Sequence, residues 1–175
     1  EFMADLSLVA RSQQGDREAF SQLYLEYKDA LYRYAWYKIG DPDYAMDAVS
    51  DTMLTALEQI GKLKNEKAFS TYLFRIHAAS CSHYVKDVIR AKESDDLSDV
   101  ESGLSATDGD FKALELREAL AILNDVEKDI VLLSVSGFNS KEIAKVTDYT
   151  SGAVRSKLSR ALSKMRDFLE GKYEK

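Results

Sequence analysis

Seven residues near the C-terminus carry the plainest chemical potential in this sequence. They are Ser151, Gly152, Arg155, Ser156, Lys157, Ser159 and Arg160, and they fall within ten positions. Arginine forks read guanine edges, while hydroxyls and the free N–H groups of a helix N-terminus hold phosphate. Between Thr150 and Lys175 there are seven basic and three acidic residues. The chemistry this predicts is recognition of a nucleic-acid duplex. The sequence has no phosphate-binding Walker loop, no nucleophile elbow and no paired catalytic carboxylates. An enzyme is therefore not expected, and neither a cofactor nor a small-molecule substrate is called for.

Other constellations are weaker. Asp47 and Asp51 stand four apart, hence on one helical face, where they could meet a basic partner surface. A short basic loop runs Gly61-Lys62-Leu63-Lys64-Asn65-Glu66-Lys67. His77, Cys81 and His83 lie close together, but only the first two share a face, and zinc wants four tetrahedral ligands. Packing or surface roles are expected for these three, and no metal.

Helices must position these groups. Around the basic stretch, Asn139 with Glu142 forms a capping-box pattern that opens a short helix, Ser140 to Thr147. Asp148-Tyr149 turns the chain, Thr150 can cap, and a last helix runs to about Gly171. This is a helix-turn-helix, whose second helix enters the major groove while the first braces it. Ile143, Ala144, Val146, Val154, Leu158, Ala161, Leu162 and Met165 are placed to lock the pair. Two further helices precede it, Phe111–Leu123 with Leu114, Leu116, Leu120 and Leu123, and Asp125–Ser136, stopped by Gly137.

Upstream, three long helices are predicted after a short piece near Ser7–Gln13. One spans Asp16–Ile39, with Phe20, Leu23, Tyr24, Tyr27, Leu31 and Tyr34 at three- and four-residue steps. The next spans Pro42–Ile60, with Ala45, Val49, Met53 and Leu57 inward and Gly61 as its stop. The third spans Glu66–Lys92, with Phe69, Leu73, Ile76, Ser80, Tyr84 and Val88 on one side. No strand alternation is found.

The 175 residues carry a net charge of −6, and Glu93 to Asp110 alone hold seven acidic residues and no basic one. Local sign matters more than total charge for a polyanion partner. Rich in Asp, Ser and Gly, this stretch buries too little to offset its ordering entropy. The expected fold class is thus all-α, two small helical domains joined by an acidic flexible linker. The boundaries are 3–93, 94–110 and 111–175. Glu1 and Phe2 ahead of Met3 are set aside as a cloning remnant. No apolar run approaches a membrane span, so no membrane insertion is expected. The single Cys81 fits a reducing cytoplasm.

The C-terminal stretch, with EIA, GAVRSKLSRAL and KMRDFL in order, resembles the fourth conserved region of the sigma-70 superfamily, in its extracytoplasmic-function (ECF) group. REAFSQLYLEYKDALYRYAWYKIGDPDYAMDAVSDTMLTALEQI resembles the start of the second conserved region, and AFSTYLFRIHAASCSHYVKDVIRAK its promoter-melting part. The resemblance implies an RNA polymerase sigma factor. Asp47, Ser50 and Asp51 would then meet core RNA polymerase. The -35 element of promoter DNA would be read by Ser151, Gly152, Arg155, Ser156, Lys157, Ser159 and Arg160. The -10 element and its melting would fall to Lys62, Lys64, Asn65, Lys67, Tyr72, Arg75, Lys86 and Arg90. The loop would capture a base flipped from the melted strand, while Lys86, Arg90 and Lys92 would lie along the duplex. An anti-sigma factor is an implied partner. The chain departs from the family pattern at Ser50 (usually Gln), Tyr72 (Trp), Ala79 (Asn), His83 (Asp) and Lys86 (Arg).

Two rival readings remain open at this point. One is a stand-alone helix-turn-helix regulator, which would bind duplex operators without polymerase. The other is a sigma mimic that titrates an anti-sigma factor, favoured only by the altered melting motif. Retention of Arg155, Lys157 and Arg160 argues against the mimic.

Overall fold

The computed structural model describes residues 4–94 and 108–174. Eight α-helices make up the architecture among these residues: α1 Leu6–Gln13, α2 Arg17–Ile39, α3 Pro42–Gln59, α4 Phe69–Ser94, α5 Asp108–Ala121, α6 Asp125–Val135, α7 Ser140–Thr147 and α8 Ser151–Tyr173. Two 3-10 turns, Ile60–Lys62 and Glu66–Ala68, join α3 to α4. None of the helices is long and apolar enough to cross a membrane.

Local chemistry sets most helix ends. Asp5, Asp16, Asp41, Asn124, Asn139 and Thr150 each accept a backbone N–H from the turn that follows, as N-caps do. Both Asn caps are closed into capping boxes, by Glu127 and Glu142. Gly40 ends α2 in the left-handed region, φ 84°. It also gives way to α5, because a Cβ there would collide with the Arg117 guanidinium, which lies 5.2 Å from the centre of the Trp36 ring. Gly61 does not act as a stop. α3 instead tightens into the 3-10 turn at Ile60, one residue earlier than expected.

The N-terminal body is a bundle in which α2, α3 and α4 pack on one another and α1 lies across α2. Tyr27, Leu31, Leu23, Phe69, Leu73 and Phe74 fill its centre. The inward faces expected for α2 and α3 are found, except that Tyr24 is half-buried and Leu57 exposed. On α4 the buried face is rotated from the expected one. It comprises Phe69, Ser70, Leu73, Phe74, His77, Ala78 and Cys81, with Ile76 and Ser80 only half-buried. The reason is that α4 is covered by α2 and α3 on one side and by α7 on another. Two polar residues, Ser70 and His77, sit on that inner face, so counting apolar side chains points to the wrong one.

The C-terminal body packs α5, α6 and α7 against α8. Ile130, Leu133, Ile143, Val154 and Ala161 are its innermost residues. Leu120 and Leu123 are buried as expected, but Leu114, Leu116 and Leu162 are exposed.

The two bodies touch. α2 packs on α5 and α6, and α4 packs on α7. Phe74 meets Phe138 edge to face, with ring centres 5.0 Å apart, an arrangement aromatic pairs favour. The expected linker, 94–110, is partly helical: Ser94 closes α4 and Asp108 opens α5. Its remainder, 95–107, lies outside the described residues.

Candidate nucleic-acid interface

The helix-turn-helix forms as α7, a turn at Asp148-Tyr149-Thr150, and α8. Ile143 and Val146 are buried against Val154, Ala161 and Met165, which fixes the angle between the two helices. Asp148 takes the left-handed conformation, φ 60°, in the tight turn, a state that Asp and Asn tolerate better than most residues. Thr150 then caps α8 by accepting from Ala153 N–H at 3.1 Å.

Gly152, Arg155, Ser156, Ser159 and Arg160 are all exposed. Their spacing of three and four puts them on one stripe of α8, away from Val154, Ala161 and Met165. Nη1 of Arg155 donates to Ser140 Oγ at 3.4 Å, so the guanidinium is drawn back toward the start of both helices. Ser151 is half-buried at the head of the stripe. Lys157 stands to one side and is half-buried, its ammonium 4.8 Å from the centre of the Tyr149 ring. That cation–π contact involves a turn residue whose role the sequence reading did not assign.

On the N-terminal body, Asp47, Ser50 and Asp51 come together on the exposed side of α3, flanked by the exposed Met46 and Leu54. Asp51 is not free. It accepts from the Tyr84 hydroxyl of α4 at 2.5 Å. That hydrogen bond, with a smaller effect of burial, pushes the Tyr84 phenol up to about 12. Tyr84 was expected only as a core residue, and nothing in the spacing of α4 marks it as a partner for α3.

Lys62, Lys64, Asn65 and Lys67 are exposed around the two 3-10 turns. The loop is pinned from α1, because Gln13 donates to the carbonyls of Ile60 at 3.1 Å and Leu63 at 2.7 Å. Asn65 serves locally as a cap, accepting from Lys67 N–H at 3.0 Å. Tyr72, Arg75, Ala79, His83, Lys86 and Arg90 share one face of α4 by their spacing. That face is long: at 1.5 Å per residue, Arg90 lies about 27 Å along the axis from Tyr72. The structure therefore brings the basic loop and Tyr72 to one end of α4, and Lys86 and Arg90 to the other. Tyr72 packs on Phe69, and its hydroxyl is buried with no hydrogen-bond partner. Arg75 is already engaged. It donates to the Lys145 carbonyl at 3.1 Å and to Asp148 Oδ2 at 3.0 Å, both in the helix-turn-helix.

His77 and Cys81 belong to the core. The Leu31 carbonyl can only accept, so Nε2 of His77 carries a proton and donates to it at 2.7 Å. Nδ1 lies 2.7 Å from Thr52 Oγ1, whose hydroxyl is also within 2.7 Å of the Ala48 carbonyl. Burial pushes the Cys81 thiol up to about 12. His83 is exposed and 3.8 Å from Asp87. Among the described residues, no group of three or more His, Cys, Asp and Glu is arranged to hold a metal ion.

A helix-turn-helix with an exposed cationic stripe thus packs beside a second helical body with an acidic outward face. The Sigma-70 region 2 model matches residues 23–90, and the Sigma-70 region 4 model matches residues 113–165. The chain belongs to the sigma-70 family, in its ECF group, and its class of function is that of an RNA polymerase sigma factor. It is 30% identical over 167 residues to ECF RNA polymerase sigma factor BldN of Streptomyces coelicolor, covering 90% of this chain and 62% of that protein. With the ECF RNA polymerase sigma-E factor of Escherichia coli K12 it shares 26% over 176 residues, covering 92% of both. Its fold is similar to that of CnrH in complex with the cytosolic domain of CnrY. There the TM-score is 0.79 at 20% identity, over 97% of this chain and 99% of that one. The fold is also similar to the sigma factor RpoE in complex with the anti-sigma factor NepR from Bartonella quintana. In that case the TM-score is 0.70 at 23% identity, over 86% and 96%.

Proposed function

We propose that this chain acts in the cytoplasm by delivering core RNA polymerase to specific promoters, with its domains divided at 3–93, 94–110 and 111–175. α8 reads the -35 element through Ser151, Gly152, Arg155, Ser156, Ser159 and Arg160, with Lys157 beside them. Lys62, Lys64, Asn65, Lys67, Tyr72 and Arg75 serve the -10 element and its melting, while Lys86 and Arg90 follow the flanking duplex. Asp47, Ser50 and Asp51 dock on core polymerase. No reaction is catalysed by the chain itself, and no cofactor is needed.

The observation that carries this reading is the unobstructed stripe Gly152–Arg155–Ser156–Ser159–Arg160 on α8. A sigma mimic has no use for such a stripe, and a stand-alone regulator has no use for the acidic face of α3. Run-off transcription with purified chain, core polymerase and genomic fragments is the test. A discrete transcript that depends on the chain is expected. A chain that binds operator duplex but supports no transcript would overturn the reading in favour of the regulator.

An anti-sigma factor is proposed as a further partner, on the precedent of the RpoE–NepR complex. Co-purification from the native cell, followed by loss of transcription when the partner is added back, would establish it.

A further inference from the structure

We propose that Tyr149 is a positioning residue: its ring aims the Lys157 ammonium at a backbone phosphate beside the reading stripe of α8, so that Lys157 holds the duplex without reading a base. The proposal rests on the sigma-factor reading above and gives these two residues their part in it.

Lys157 does not belong to the stripe. At about 100° per residue it lies roughly 140° around α8 from Gly152 and about 60° beyond Arg160. It is half-buried, where Gly152, Arg155, Ser156, Ser159 and Arg160 are exposed. Helical side chains lean toward the N-terminus. The long stem of Lys157 carries its ammonium back to the turn, 4.8 Å from the centre of the Tyr149 ring. Tyr149 is itself 38% exposed, so the pair sits at the surface.

No carboxylate neutralises that ammonium. Asp148, next to Tyr149, pairs with Arg75 at 3.0 Å. Glu127 of α6 pairs with Lys164 at 2.6 Å. Lys164 is the main cause that holds the Glu127 carboxyl below its ordinary range, and the charge of Lys157 adds a lesser share. Among the described residues Lys157 forms no ion pair of its own. An aromatic face attracts a cation without cancelling its charge. The ammonium therefore keeps its donors for an outside anion.

A duplex supplies that anion at this place. The major groove is about 12 Å wide, and a helix with its side chains is about 10–12 Å across. The leading face of α8 then meets base edges, while its flanks meet the phosphates of the groove walls. A lysine on a free stem loses much rotamer freedom on binding. A ring that holds it beforehand lowers that cost.

The test is equilibrium binding of the full chain with core polymerase to the promoter fragment found by run-off transcription. It is run at several salt concentrations, and again with the upstream element scrambled. Lys157→Gln is expected to weaken both fragments by the same factor, about five- to tenfold at 0.1 M salt, and to lower the salt slope by about 1. Tyr149→Leu is expected to lose about two- to fivefold, and nothing further once Lys157 is Gln. Tyr149→Phe keeps the ring and binds like the parent. Tyr149→Gln replaces the Leu variant if that one fails to fold. A Lys157→Gln loss confined to the intact fragment would show that Lys157 reads a base, and would overturn the proposal. So would a Tyr149→Leu effect that is absent or that persists without Lys157, or a Tyr149→Phe variant as weak as the Leu one. If no fragment is transcribed, the sigma-factor reading falls instead, and the same variants bound to a plain duplex still decide the role of Tyr149.

Discussion

The imidazole of His77 is threaded between Thr52 of α3 and the Leu31 carbonyl of α2, with both ring nitrogens at 2.7 Å from their partners. Burial is the main cause holding its pKa at about 4, below the ordinary 6.5. Lys38 pushes in the same direction, and the Leu31 hydrogen bond opposes it. Tyr34, Phe74 and Cys81 lie beside it.

Because the folded state resists protonation of His77 where the unfolded chain accepts it, stability is fully present above pH 6.5 and falls as pH drops toward 4. Linkage gives a loss of about 2 kcal/mol between pH 7 and pH 5, a window above most carboxylate titrations. Urea unfolding at the two pH values should show it, and His77→Gln should flatten it. A parent protein equally stable at both would contradict the neutral buried imidazole.

Arg155→Ala and Arg160→Ala should each weaken promoter binding by about 1–3 kcal/mol while leaving core binding and melting temperature in place. Both side chains are exposed, and the bond from Arg155 to Ser140 of α7 is a long surface contact of 3.4 Å. Filter binding across salt concentrations separates base from phosphate contacts, since losing a phosphate contact lowers the salt slope by about 1. Loss of core binding in either variant would show that the roles are misplaced.

The combined change Asp47→Ala and Asp51→Ala should have the converse effect, with core binding lost and duplex binding by α8 retained. It should also release the Tyr84 phenol, which Asp51 now pushes up to about 12. Ultraviolet titration should find one tyrosine moved down toward 10. If core affinity is unchanged, the acidic face of α3 is only a solvated surface.

Gly152→Ala separates folding from recognition. An added Cβ would meet only the Arg155 guanidinium, at 3.9 Å, so the fold has no steric need for glycine there. Replacing it should raise stability by up to about 1 kcal/mol. Promoter affinity should fall, because the bare backbone at the head of α8 is what lets the duplex approach closely. A variant that is more stable and binds equally well would remove Gly152 from the interface.

What the amino-acid sequence determined alone was whatever is decided within a few residues. The Asn139–Glu142 box, the Thr150 cap, the stop at Gly137 and the i, i+3, i+4 stripe of α8 follow from local hydrogen bonding and helical period, and all were legible. So was the clustering of Asp47, Ser50 and Asp51. Tertiary structure decided the rest, since it depends on partners that no local period encodes. The buried face of α4 turned because a second body covers it. Asp51 acquired Tyr84 from 33 residues away, Arg75 acquired Asp148 from 73, and Lys38 acquired Asp129 from 91. A lysine, an arginine and an aspartate on helix faces look like solvated charges in sequence. Packing of one bundle on the other removes the water from Lys38 and makes it depend on Asp129, while Arg75 and Asp51 keep exposed partners that only the folded chain brings near.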